Sequence, residues 1–137
     1  MTRVFADTLY WVAVTRPGDP WGDAARRATS RLGTVRIVTT DEVLAEFLTA
    51  MSRGGPAIRA AAVEIVRRAL ANLNVEVIPQ SRESFLQALD RYASRSDKRY
   101  SLTDCSSMNT MDALGIHDIL TNDHHFEQEG YNVLIRK

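Results

Sequence analysis

The sequence predicts an α/β protein of three layers, with helices on both faces of a central, mostly parallel sheet. Two observations carry that prediction. Short apolar runs alternate with longer segments of helical periodicity through most of the chain. Two of those runs lead directly into an aspartate, and in open parallel sheets functional groups collect beyond the carboxyl ends of the strands.

The elements follow in order. "RVFA" (3–6) is a short apolar run that stops at Asp7 and reads as a first strand. "TLYWVAV" is a short helix, ended by the breaker "RPGDP" at 16–20. A helix from about Pro20, "PWGDAARRATSRLG", has proline early and Gly33 just past its end. Val35 to Val38 form a second strand. Thr39 and Glu42 then stand at capping-box spacing ahead of "DEVLAEFLTAMSR", whose Val43, Leu44, Phe47, Leu48 and Met51 define a buried face. "GGP" at 54–56 separates this helix from the alanine-rich, amphipathic "AIRAAAVEIVRRALANL". "VEVIP" (75–79) is a third strand, and Ser81 with Ser84 opens a helix through about Tyr92. After the polar, basic loop "SRSDKRY", Ser101 and Asp104 open a helix that stops at Gly115. "HDILTND" is a fourth strand ending at Asp123, "HHFEQEG" a turn or single helical turn, and "YNVLIRK" a last strand.

The chain of 137 residues suits one domain, residues 1–137, with its own hydrophobic core. Lys plus Arg and Asp plus Glu are 17 each, so bulk charge gives no argument for nucleic-acid binding, although local patches remain open. A single cysteine cannot form an internal disulfide, and a reducing, cytoplasmic compartment is the natural expectation. "MTRVFADTLYWVAV" lacks the apolar region and cleavage site of a secretory signal. No apolar run approaches the ~18 residues of a membrane span.

Four acids converge on the predicted strand ends. Asp7 follows the first strand and Asp123 the fourth; Asp104 lies in the first turn of its helix, and Glu46 in the second turn of the helix after the second strand. At ~100° per residue, Met108, Met111 and Gly115 fall within ~40° of Asp104, so this acid shares a face with apolar and small residues. A carboxylate held against a core face is unfavourable unless it is paired or coordinates a metal. No Lys or Arg stands in the local motifs of the four acids, and a divalent cation would relieve their repulsion. Hard oxygen donors favour Mg²⁺ or Mn²⁺, which can activate a water and stabilise charge on a phosphodiester. Each acid also has a bland reading: Asp7 and Asp104 as helix caps, Glu46 as a surface residue, Asp123 as a turn residue. Glu42 competes with Glu46 as a ligand, but the capping box accounts for it.

"FADTLYW", "EVLAEF", "SLTDCSSM" and "LTNDHHF" together resemble the PIN-domain ribonucleases, whose bacterial branch includes the VapC-like toxins. The resemblance spans nearly the whole chain, with the motifs in the family's order. It implies that Asp7, Glu46, Asp104 and Asp123 form the acidic quartet that binds metal and carries catalysis, with Thr8 supporting it. It further implies a Mg²⁺- or Mn²⁺-dependent endoribonuclease, an RNA substrate, a homodimer and a separate antitoxin protein. A non-catalytic module that binds RNA or protein, an RNA-processing role outside toxin biology, and a phosphoesterase acting on DNA stay open.

Outside the quartet, Arg95, Lys98 and Arg99 cluster ahead of Asp104 as a solvated loop with the means to grip phosphate. His124 and His125 read as exposed turn residues, since Mg²⁺ sites prefer oxygen. Cys105 reads as a small buried residue. Tyr10 and Trp11 are expected in the core or at a dimer contact.

Overall fold

The computed structural model describes residues 2–137. Five strands, β1 (Thr2–Ala6), β2 (Val35–Thr40), β3 (Val75–Ile78), β4 (Asp118–Leu120) and β5 (Asn132–Val133), form one sheet in the order β3-β2-β1-β4-β5. Every pairing is parallel. Among the described residues seven α-helices cover it: α1 (Thr8–Thr15), α2 (Gly22–Leu32), α3 (Asp41–Met51), α4 (Pro56–Ala71), α5 (Arg82–Ser94), α6 (Leu102–Leu114) and α7 (His124–Gln128). The architecture is the expected three-layer α/β/α sandwich. Val4, Phe5 and Ala6 of the central strand are fully buried, as a strand covered on both faces must be.

The strand order decides where a site can form. From β1 the chain steps outward through β2 and β3, then returns to lay β4 on the other side of β1. The crevice between β1 and β4 is therefore the topological switch point. Register aligns Phe5 with Ile119 and Ala6 with Leu120, so both strands end at the same level. Asp7 and the Thr121–Asp123 segment emerge there together.

Local sequence explains most element boundaries. Ser81 and Ser84 form a reciprocal capping box at α5, and Ser101 and Asp104 form another at α6. Gly115 ends α6 at φ +68°, and the Ile116 N–H returns to the Met111 carbonyl at 2.9 Å. A left-handed residue here suits glycine, which has no Cβ to clash.

Besides β5, which covers only Asn132–Val133 of the expected "YNVLIRK" strand, two boundaries that bear on the site differ from expectation. The cap of α3 is Thr40, whose hydroxyl accepts from the Val43 N–H at 3.1 Å, and not Thr39. Strand β2 continues through Thr40, and the Thr39 hydroxyl donates to the Ala6 carbonyl at 3.0 Å, tying β2 to the end of β1. Glu42 is thereby released from capping; its Oε2 accepts from the Ser106 hydroxyl of α6 at 2.6 Å. The second difference is β4, which ends at Leu120 and not at Asp123. Thr121 turns its hydroxyl to the Asp7 carboxylate, and Asp123 becomes the N-cap of α7. No helix among the described residues is long and apolar enough to cross a membrane.

Candidate active site

Asp7 occupies the N-cap position of α1, yet its side chain makes no capping hydrogen bond. One carboxylate oxygen, Oδ2, accepts from the Thr121 hydroxyl at 3.0 Å. The other, Oδ1, is closed off from solvent and accepts no hydrogen bond. The residue is only 5% exposed. Burial, reinforced by the neighbouring Asp104 and Glu46 carboxylates, pushes its pKa up to about 7 against the opposing Thr8 N–H and Thr121 hydroxyl.

Asp104 caps its helix and also lies on that helix's buried face. Its Oδ2 accepts from the Ser101 N–H at 3.1 Å, completing the capping box of α6. The residue is buried beside Met108 and Met111 on the inward face of that helix. Burial raises its pKa, with Asp123 and Glu46 adding repulsion, while the Ser101 N–H and His125 oppose the rise. Glu46, from the second turn of α3, is oriented by the Thr8 hydroxyl, which donates to its Oε1 at 2.5 Å. Asp123 Oδ1 accepts from the His125 N–H at 2.9 Å.

The four acids therefore meet. Asp7, Thr8, Glu46, Asp104, Thr121 and Asp123 line one cleft of about 500 Å³. Among the described residues no Lys or Arg forms an ion pair with any of the four; the only basic side chain that reaches them is His125, against Asp104 and Asp123. Buried polar atoms without partners also occur at Trp11 Nε1 and Ser107 Oγ. Those two groups are neutral; the charged Glu42 Oε1 and Arg91 Nε are also without partners, and Asp7 Oδ1 differs from them in lying in the field of the Asp104 and Glu46 carboxylates. Uncompensated hard oxygen donors around an unused carboxylate oxygen fit a divalent cation. A second cleft of about 380 Å³, lined in part by Glu42, Ala45, Phe85 and Leu102, adjoins the first at Glu46.

Several neighbours were legible only in part. Thr121, which aims Asp7, sits two residues before Asp123, and its role depends on a contact across 114 positions. Arg95 faces inward: Glu129 takes its guanidinium at 3.1–3.2 Å, together with Arg91 at 2.9 Å and the Tyr100 hydroxyl at 3.0 Å. Lys98 and Arg99 are exposed. Cys105, Tyr10 and Trp11 are buried as expected, and His124 is exposed, but His125 is half-buried.

The PIN-domain family profile matches residues 4–129, a span that contains all four acids. No curated protein matches the chain. Among solved structures the chain is similar to the crystal structure of Mycobacterium tuberculosis VapC20, a sarcin–ricin loop cleaving toxin. The two are 24% identical, covering 93% of this chain and 95% of that one, and superpose with a TM-score of 0.83. At that identity the likeness is one of fold. The profile match over nearly the whole chain, with the acids gathered at the switch point, makes this chain a member of the PIN-domain family.

Proposed function

We propose that the protein is a metal-dependent endoribonuclease, the toxin of a type II toxin–antitoxin pair. The observation that carries the reading is the uncompensated carboxylate cluster at the switch point, with Asp7 Oδ1 buried and unused. Asp7, Glu46, Asp104 and Asp123 would hold Mg²⁺ or Mn²⁺. When bound, such a cation supplies charge neutralisation for the phosphodiester and acidifies a coordinated water.

The chain's own groups do the positioning. Thr121 fixes Asp7, Thr8 fixes Glu46, and Ser101 fixes Asp104, so three of the four acids are each oriented through one oxygen. Such pre-orientation is what keeps reacting groups in attack geometry. The adjoining cleft at Glu46 offers apolar surface for the substrate strand beside the acids. Because Glu129 engages Arg95, the expected phosphate grip falls to Lys98 and Arg99. The fold likeness to a toxin that cleaves the sarcin–ricin loop supports RNA as the substrate class and a separate antitoxin as partner. A homodimer and a cytoplasmic location belong to the same reading.

Purified wild type should cut RNA with Mn²⁺ or Mg²⁺ present and stop on adding EDTA. Asp104→Asn should lose at least about a hundredfold in rate while keeping its circular dichroism spectrum. RNA binding without cleavage, unaffected by EDTA, would leave a non-catalytic module; equal cleavage by Asp104→Asn would remove the assignment.

A further inference from the structure

His125 lies at the acidic centre. Its Nδ1 is closed off from solvent and makes no hydrogen bond. It stands 3.4 Å from Asp123 Oδ1 and 3.5 Å from Asp104 Oδ2. One donor atom from each of these three residues lies within 4.8 Å of the other two. Two donors bonded to one ion at ~2.1 Å are ~3.0–3.4 Å apart, so the two distances to the His125 nitrogen need only a small contraction around a cation.

The ring is held in this place. The Asp123 carboxylate caps the His125 N–H at 2.9 Å, which fixes the first turn of α7. Tyr100 packs edge-on against the imidazole with centroids 5.3 Å apart, and its hydroxyl is anchored to Glu129 at 3.0 Å. His124 packs on the ring at 5.6 Å. An imidazole placed only as a surface turn residue would not have its nitrogen buried between two acids.

We infer that His125 Nδ1 is a ligand to the cation shared by Asp104 and Asp123, making the centre a nitrogen-containing one that binds Mn²⁺ in preference to Mg²⁺. The inference rests on the proposed reading of the acids as cation ligands. Its chemistry is the ligand preference of the ions. Mg²⁺ takes oxygen donors in near-ideal octahedra, whereas first-row transition ions accept imidazole readily. The imidazole ligates as its neutral form, with the ring proton on Nε2. Asp104 and Asp123, the two acids beside the His125 nitrogen, line the cleft.

The test is electron paramagnetic resonance on EDTA-stripped protein titrated with Mn²⁺, with ¹⁴N modulation as the signature of imidazole ligation, and calorimetry for Mg²⁺. Wild type should show ¹⁴N modulation. His125→Ala and His125→Gln should lose it and bind Mn²⁺ about tenfold more weakly, with Mg²⁺ affinity nearly unchanged. His124→Ala should retain the wild-type spectrum. Mn²⁺ bound without ¹⁴N modulation, and lost in Asp104→Asn, would overturn the role of His125 and leave the acidic centre standing. Mn²⁺ affinity equal in wild type and Asp104→Asn would remove both.

Discussion

Asp7 shows how one residue carries opposed demands. Its folded pKa of about 7 stands above the 3.8 of an ordinary aspartate. Below about pH 4 it is protonated in both states and contributes nothing to stability. As pH rises from 4 towards 7 the unfolded chain releases the proton first, so the folded state loses stability, and above 7 the whole penalty is present. Asp7→Asn should therefore stabilise the EDTA-treated protein at pH 8 by roughly 1–3 kcal/mol, with the gain fading towards pH 4. Thermal melts across that range check it; a variant less stable than wild type at pH 8 would show that the carboxylate is favourably placed without a cation. Glu129 lies at the opposite extreme, held down to about 2, first by the Arg95 hydrogen bonds and then by Tyr100 and Arg91. Its stabilisation is complete above pH 4.5 and is lost as pH falls towards 2. Glu129→Gln should cost roughly 1–3 kcal/mol at pH 7, because it leaves Arg95 without its counter-charge and Arg91 with Asp112 alone, and the cost should shrink in acid. Urea unfolding at pH 7 and pH 3 measures both values.

Helix α6 is the element on which local structure and chemistry meet. Its first turn is closed by Ser101, whose hydroxyl accepts from the Asp104 N–H at 2.9 Å while Asp104 returns a bond to the Ser101 N–H. The cap thus starts the helix and aims the proposed catalytic carboxylate with the same pair of residues. Ser101→Ala removes half of that box. It should destabilise the fold by about 1 kcal/mol and slow RNA cleavage, because the loosened first turn shifts the Ser101 N–H that holds the Asp104 carboxylate. Ser101→Thr retains the hydroxyl and should restore both. Activity unchanged in Ser101→Ala would mean that the Ser101 N–H and burial position Asp104 without help from the hydroxyl. Helices α3 and α6 are further joined by the Ser106 hydroxyl on Glu42, which links the elements that present Glu46 and Asp104.

At the scale of the whole molecule, the sheet order concentrates four negative groups from four separate segments at one edge. Their repulsion opposes folding and a bound cation would relieve it, so under the proposed reading metal affinity and stability are linked. Millimolar Mn²⁺ should raise the melting temperature of wild type by several degrees and that of Asp7→Asn by less. Differential scanning fluorimetry with and without EDTA measures it, and an equal shift in both proteins would place the ion elsewhere.

The amino-acid sequence alone determined the α/β alternation, the serine caps at 81 and 101, the glycine stop at 115 and the four acids as candidates. Each of these is written in residues near one another in the chain, where periodicity and capping chemistry act. The extent of β2 and the partner of Glu42 were not legible, because Thr39 bonds to Ala6 and Ser106 to Glu42, residues 33 and 64 positions away. For the same reason Arg95 read as a solvated cation until Glu129 was folded against it, and His125 as a turn residue until α7 placed it between Asp104 and Asp123. Only the tertiary structure decided that Asp7 would spend its position at a helix start without capping it. The return of β4 to the side of β1 brings Thr121 to one of its oxygens and leaves the other buried and unused.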